Sequence, residues 1–253
     1  MEILRRDFTP AGLQQELEDV AVEGVVSVQA RQSIEETQWL LDLASQHDFI
    51  RGVVGWIPLI DPYVRSDLER LSQFAGFKAV RHVVQDEPDD AFLLGSDFNR
   101  GVGLLKEYGL VYDILIYARH LPNTLQFVDR HPEQRFVLDH IAKPTIRRAE
   151  FDQRWATNLK ELAKRPHVTC KFSGLVTEVR DPHWTGDLLR PYWDTTLAAF
   201  GPERLMFGSD WPVCLLRSDY ARWIATVEEL AAGLSSAEQD DLWSQTAIRT
   251  YRL

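Results

Sequence analysis

Seven short apolar runs recur along the chain, and a segment with helical periodicity follows each of them. The runs are rich in Val, Ile, Leu and Phe without regular polar alternation, which is typical of strands buried on both faces. They span residues 24–30, 50–56, 77–84, 110–116, 135–140, 167–172 and 204–210. Their starts are 25 to 37 residues apart, which is the length of one βα unit. This alternation predicts an α/β fold with parallel strands and helical crossovers.

Two folds fit that pattern, a doubly wound sheet and a TIM-type (β/α)₈ barrel. The glycine-rich stretch at 101–103 lies inside a helical segment, so a nucleotide-binding loop is not indicated. We therefore predict a barrel, with residues 1–253 as a single domain. Only seven strands can be counted, because the segment before residue 24 offers a helix over 10–20, with Thr9 as its cap, and at most a short strand at 2–4. The barrel is expected to be missing or incomplete at strand one.

Composition limits the classes of partner. With 28 basic and 38 acidic side chains, the net charge is −10, which is unsuited to binding nucleic acid. No apolar run approaches the ~20 residues of a membrane helix, and the first residues lack the apolar core of a secretion signal. The two cysteines, Cys170 and Cys214, form no disulfide framework. We expect a cytoplasmic protein that binds neither nucleic acid nor membrane.

Catalytic groups of such barrels lie where the strands end and the βα loops begin. Six residues meet that criterion: Arg81, His82, His140, Lys171, Asp210 and Trp211. A carboxylate after a buried apolar run is costly unless it is paired or used, which favours a functional Asp210. Structural interpretations also remain open, because an aspartate can cap the next helix, a histidine can anchor a loop, and Arg81 or Lys171 can form internal ion pairs.

The metal-binding motifs are incomplete. Two histidines that grip an ion from one strand need His-x-His spacing, and the closest pair here is His131 and His140. The chain also lacks HExxH and GxSxG. The residues by themselves indicate an Asp, His and basic cluster at a barrel mouth, without a complete metal cage.

Several local strings nevertheless resemble one family. They stand in order at residues 28–30, 54–56, 81–87, 139–144, 170–175 and 208–212. Together they resemble the amidohydrolase superfamily, in particular the sugar-lactonase-like group of its amidohydrolase-2 branch. The resemblance implies a (β/α)₈ barrel with His140 as the strand-five histidine and Asp210 as the strand-eight aspartate, while Lys171 and Ser173 replace a second histidine. The His-x-His pair usual in the family is missing, and the chain resembles one that begins after the first strand.

From this resemblance we expect a hydrolase that opens a sugar-acid lactone by attack of water. Asp210 would act as general base, and His140 would polarise the carbonyl group. Arg81, His82 and Lys171 would bind substrate or stabilise the oxyanion, and Trp211 would offer an apolar wall. The resemblance also implies one divalent metal ion, zinc, with His140 and Asp210 as ligands. Because the His-x-His pair is missing, a site without metal remains an alternative.

Two other functions stay open at this stage. A catalytically impaired barrel could act as a binding or assembly module, because unpaired strand edges favour association. A decarboxylase of the same superfamily is the other alternative, although Lys171 and Ser173 in place of a histidine argue against it. The expected partner is a small-molecule lactone, and a homo-oligomer is left open.

Overall fold

Seven parallel strands form one sheet whose spatial order is the order of the chain. The computed structural model describes residues 2–18, 20 and 22–253. The strands are β1 Val25–Val28, β2 Ile50–Gly55, β3 Phe77–Val83, β4 Val111–Leu115, β5 Phe136–Leu138, β6 Val168–Phe172 and β7 Leu205–Phe207. Every one lies inside a predicted apolar run, so the parallel α/β class is confirmed. The described residues contain no eighth strand in this sheet.

Helices between successive strands form the main layer on one face of the sheet, and further helices precede β1 and follow β7. They are α1 Pro10–Glu18, α2 Ile34–Gln46, α3 Val64–Leu71, α4 Ser96–Leu105, α5 Leu121–Asp129, α6 Gln153–Leu162, α7 Leu175–Glu178, α8 Gly186–Phe200, α9 Tyr220–Ala231, α10 Ser236–Asp240 and α11 Thr246–Tyr251. None of the described helices combines the length and the apolar character needed to cross a bilayer.

The N-terminal segment differs in part from its prediction. Residues Glu2–Leu4 form a 3₁₀ turn rather than a short strand. The helix predicted over 10–20 is observed as α1, which ends at Glu18, and residue 19 lies outside the described residues. Thr9 does cap this helix, because its Oγ1 accepts a hydrogen bond of 3.2 Å from the Gly12 amide.

The two faces of the sheet carry different side chains, because successive residues of a strand point to opposite faces. Val80 and Tyr112 belong to the large core between sheet and helices. Their strand neighbours Ala79 and Val111 belong to a second, smaller core that also contains Tyr251 of α11. The smaller core therefore lies on the concave face, away from the main helical layer.

A third apolar cluster joins α1 to both edge strands. Leu17 of α1 belongs to it, and Val25 of β1 and Phe207 of β7 pack against it. Tyr220 and Ile224 of α9 complete its buried part. In the described part of the chain, this cluster covers apolar surface beside the edges of β1 and β7.

Candidate active site

The concave face holds a network of buried charges on consecutive strands. Lys171 Nζ lies 2.6 Å from Asp113 Oδ2 and 2.8 Å from Asp139 Oδ1. Arg81 Nη1 lies 2.8 Å from Asp139 Oδ2. Both aspartates are fully buried. Two cations thus neutralise two carboxylates, as a buried charge requires.

Neutral groups complete this network at its two ends. The Arg81 Nε donates a hydrogen bond of 2.9 Å to Gln29 Oε1, and the Tyr251 hydroxyl donates one of 2.8 Å to Asp113 Oδ2. Burial raises the pKa of Asp113 to about 6 although Lys171 opposes the shift. Burial would also raise the pKa of Asp139, but the adjacent charges outweigh it and hold that pKa well below its usual range.

His140 stands on an unusual backbone turn just after β5. The φ angles of His140, Ile141, Ala142 and Lys143 are 53°, 47°, 63° and 47°, so four consecutive residues without glycine are left-handed. Such a conformation costs about 1–2 kcal/mol per residue. Trp155 holds the turn, because its Nε1 donates a hydrogen bond of 2.6 Å to the Ile141 carbonyl. Strain of this kind is characteristic of functional sites.

The turn brings His140 to Asp210, which follows β7. His140 Nε2 lies 3.7 Å from Asp210 Oδ1, and His140 Nδ1 lies 2.8 Å from Ser173 Oγ. The His140 and Asp210 side chains are 10 % and 15 % exposed. Asp210 is also left-handed, with φ 54°. The structure therefore joins the two residues that the sequence predicted at separate strand ends.

Gly174 makes this close approach feasible. It has φ 71°, and a Cβ at this position would lie 2.7 Å from His140 Nδ1 and 3.2 Å from Asp210 Oδ2. A side chain would therefore collide with the imidazole and crowd the carboxylate. Gly174 belongs to the string at 170–175, but nothing in its local sequence marks it as a site residue.

The electrostatics of the pair favour its neutral forms. Burial raises the pKa of Asp210 to about 7, although Lys143 and Arg81 counteract part of the effect. Burial lowers the pKa of His140 to about 3, although Asp139 opposes the shift. At neutral pH the imidazole is uncharged and the carboxyl group is half ionised, which suits a general base.

The predicted substrate-binding residues fall into different environments. Arg81 and Lys171 have side chains only 12 % and 11 % exposed and are engaged in the ion pairs described above. This agrees with the structural alternative considered for them from sequence. Trp211 follows Asp210 and packs edge to face on Phe8, with ring centroids 5.2 Å apart.

His82 lies on the other side of the sheet from Arg81. Its ring stacks on Phe92 with centroids 4.7 Å apart, in the helix-facing layer. Its Nε2 is 2.6 Å from Glu87 Oε1, and its Nδ1 is 3.3 Å from Trp56 Nε1. These contacts satisfy both ring nitrogens, so the structure gives His82 no direct place beside Asp210.

The donor set falls short of a zinc site. Across residues 2–18, 20 and 22–253, no group of three or more His, Cys, Asp or Glu side chains is arranged to hold a metal ion. His140 and Asp210 offer two donors, whereas catalytic zinc uses three protein ligands and a water. The described residues therefore do not fit zinc as a complete ligand set.

Comparison with known proteins adds independent information. The family model described as amidohydrolase matches residues 2–253. An L-fucono-1,5-lactonase of Burkholderia multivorans is 43 % identical over 267 residues, covering 100 % of this chain and 88 % of that protein. An L-fucono-1,5-lactonase of Burkholderia ambifaria is 37 % identical, covering 90 % of this chain and 79 % of that protein.

A solved structure agrees with these relatives. It is a Burkholderia multivorans amidohydrolase with bound zinc, 43 % identical to this chain. The superposition has a TM-score of 0.93 and covers 100 % of this chain and 91 % of that one. The match confirms the TIM-type α/β class and the resemblance found in the sequence motifs.

Proposed function

Because the chain belongs to the amidohydrolase family, we propose that it hydrolyses the ring ester of a sugar-acid lactone of the L-fuconolactone type. The names of its relatives support this substrate class. The observation that carries the proposal is the His140–Asp210 pair, because it places a carboxyl group of pKa about 7 beside a neutral imidazole. Lactones are reactive esters, so the barrier that this site has to lower is smaller than the barrier for an amide.

In the proposed reaction, Asp210 accepts a proton from water while the water oxygen bonds to the lactone carbonyl carbon. His140 Nδ1 lies 2.8 Å from Ser173 Oγ. In the proposed tautomer Ser173 Oγ donates to Nδ1, and the proton on Nε2 donates to the carbonyl oxygen as negative charge develops there. Collapse of the tetrahedral intermediate breaks the bond between the carbonyl carbon and the ring oxygen. The proton on Asp210 passes to that ring oxygen, and the product is the open hydroxy acid.

Arg81 and Lys171 act on this reaction indirectly, through Asp139. Both contact Asp139, the residue before His140, so they hold the start of the left-handed turn in place. In this proposal they position His140 and do not bind substrate. Trp211 remains proposed as an apolar wall for the sugar ring, because it adjoins Asp210. We leave His82 out of the proposed site, since its ring packs on the helix-facing side of the sheet.

No step is assigned to zinc. The related structure with bound zinc makes a metal relevant, and His140 and Asp210 remain its proposed ligands in this chain. With only two protein ligands, we expect zinc to bind weakly. Metal analysis after gel filtration is expected to find zinc below one equivalent per chain. A full equivalent that survives filtration would contradict the two-ligand description.

The alternatives receive less support. The named relatives are lactonases, which disfavours both a decarboxylase and an inert assembly module. The cytoplasmic location and a homo-oligomeric state remain proposals of the sequence analysis, and size-exclusion chromatography with light scattering measures the latter.

A lactone panel tests the proposed function. Purified protein is assayed with L-fucono-1,5-lactone and other aldonolactones, with a pH indicator reporting acid release. Opening of at least one aldonolactone is expected, together with loss of activity in Asp210→Asn. Asp194→Asn, on an exposed position of α8, serves as the matched control. A folded protein that opens no aldonolactone, or equal activity in the two variants, would refute the proposal.

A further inference from the structure

Two charged side chains lie beside the His140–Asp210 pair and have no part in the hydrolytic step. Lys143 is the last residue of the left-handed turn that begins at His140. Glu178 ends α7 and is only 7 % exposed. Helix α7 starts directly after Gly174, where an added Cβ would lie 2.7 Å from His140 Nδ1 and 3.2 Å from Asp210 Oδ2, so α7 begins against the catalytic pair.

The backbone fixes these two side chains relative to each other. The loop after β5 and the loop after β6 meet in a parallel bridge between Ile146 and Val179. The Ile146 amide donates a hydrogen bond of 3.3 Å to the Glu178 carbonyl, and the Arg180 amide donates one of 2.9 Å to the Ile146 carbonyl. Lys143 and Glu178 therefore stand on two loops that are joined beside the catalytic pair.

Both groups keep bonding capacity. Among the described residues, no carboxylate oxygen lies within 4.0 Å of the Lys143 ammonium, whose Nζ is 5.7 Å from the centroid of the Tyr117 ring. Arg180 Nη2 donates a hydrogen bond of 3.2 Å to Glu178 Oε2, and Glu178 Oε1 has no protein partner in the described part of the chain. The open Glu178 oxygen and the Lys143 ammonium are therefore both available to bond a ligand.

We propose that Lys143 and Glu178 form a subsite that binds the hydroxyl groups of a polyhydroxylated lactone. Glu178 accepts hydrogen bonds from ring hydroxyl groups, and Lys143 donates one to a hydroxyl oxygen. A carboxylate and an ammonium on two joined loops match neighbouring hydroxyl groups, each of which is both donor and acceptor. The subsite rests on the proposed function, and it selects polyhydroxylated lactones over lactones without hydroxyl groups.

Glu178→Gln and Lys143→Met test the subsite, with exposed Glu69→Gln and Lys160→Met as matched controls. Each protein is assayed with L-fucono-1,5-lactone, and its affinity for the corresponding aldonolactam is measured by calorimetry. The lactam keeps the hydroxyl groups but resists hydrolysis. We expect each site variant to lose about tenfold to a hundredfold in lactam affinity and in kcat/KM, mainly through KM. The controls are expected to match the original protein.

The two measurements separate this subsite from the proposed function. Unchanged lactam affinity and KM in both site variants would overturn the subsite while leaving lactone hydrolysis standing. Lactam binding that depends on Lys143 and Glu178, in a protein that opens no aldonolactone, would support the subsite and refute the hydrolase. A fall in kcat with unchanged KM and lactam affinity would also overturn the subsite, because it would place these residues in the chemical step.

Discussion

The charge network on the concave face and the His140–Asp210 pair, here called the mouth, use titratable side chains in opposite ways. In the network, Lys171 lies 2.6 and 2.8 Å from its two aspartates, and Arg81 lies 2.8 Å from one of them. At the mouth, His140 and Asp210 are 3.7 Å apart, and the pKa of each is shifted toward the neutral form. Paired charges hold the strands together, whereas weakly paired groups remain able to exchange protons.

Residues that stabilise the fold and residues proposed for catalysis are therefore neighbours in the chain. Asp139 and His140 are neighbours, yet Asp139 belongs to the ion-paired network and His140 to the mouth. Substitutions in the network should therefore act mainly on unfolding, and substitutions at the mouth mainly on turnover.

Among the variants proposed here, Asp210→Asn should cause the largest loss of activity. Loss of a general base predicts a decrease in kcat/KM of about 10²–10⁴-fold. The same change should not destabilise the protein, because burial opposes the charged form of Asp210. Urea unfolding at pH 8 is expected to show the variant more stable, by at most about 4 kcal/mol. Lower stability at pH 8 would place Asp210 among the structural charges.

The sign of this pH effect follows from the raised pKa. The stability linked to the Asp210 proton is fully present below the usual pKa of 3.8 and is lost as the pH rises through about 7. The advantage of Asp210→Asn over the original protein should therefore grow between pH 4 and pH 7 and then level off.

Lys171→Met should break the network instead. It leaves Asp113 and Asp139 buried without the cation that joins them, which predicts a loss of about 3–5 kcal/mol in unfolding free energy. Denaturant unfolding at pH 7.5 measures it, with the exposed Lys160→Met expected to stay within about 0.5 kcal/mol. If Lys171→Met leaves the unfolding free energy unchanged but alters KM, Lys171 binds substrate instead.

The pH profile of kcat/KM should show the pKa of Asp210. Below pH 7, activity is expected to fall about tenfold per pH unit, because only the carboxylate accepts a proton from water. His140 should add no second step between pH 5 and 7, since its pKa is lowered to about 3. A profile that is flat from pH 5 to 8 would exclude Asp210 as the base.

Gly174→Ala should cause the smallest change in stability. It tests whether close packing at Gly174 positions the His140 imidazole. The positive φ and the 2.7 Å approach to His140 Nδ1 predict a loss of about 1–2 kcal/mol and a displaced imidazole. The variant should lose activity beyond what its folded fraction explains. Gly233→Ala, where a Cβ would meet nothing within 4 Å, is the control.

The strands were predictable because their signal is local. Apolar runs at βα spacing predicted all seven, and parallel strands bring their carboxyl ends together, so His140 and Asp210 could be paired in expectation. Asp113 was missed because it lies in the middle of a strand, although the cost of an unpaired buried carboxylate, which favoured Asp210, applies equally inside the apolar run 110–116. Period-two alternation also shows that Arg81 and His82 cannot share one face, a test the sequence analysis did not apply.

Thus the sequence by itself determined the parallel α/β class, the family and the two residues at the centre of the proposed site, because periodicity and motifs are written in neighbouring positions. Only the tertiary structure decided that Arg81 and Lys171 neutralise buried aspartates and that Lys143 and Glu178 stand beside Asp210. It also decided the left-handed turn at His140, which no local preference of His, Ile, Ala or Lys favours. Pairing and strain of this kind depend on contacts between distant strands, and those contacts exist only after the sheet has formed.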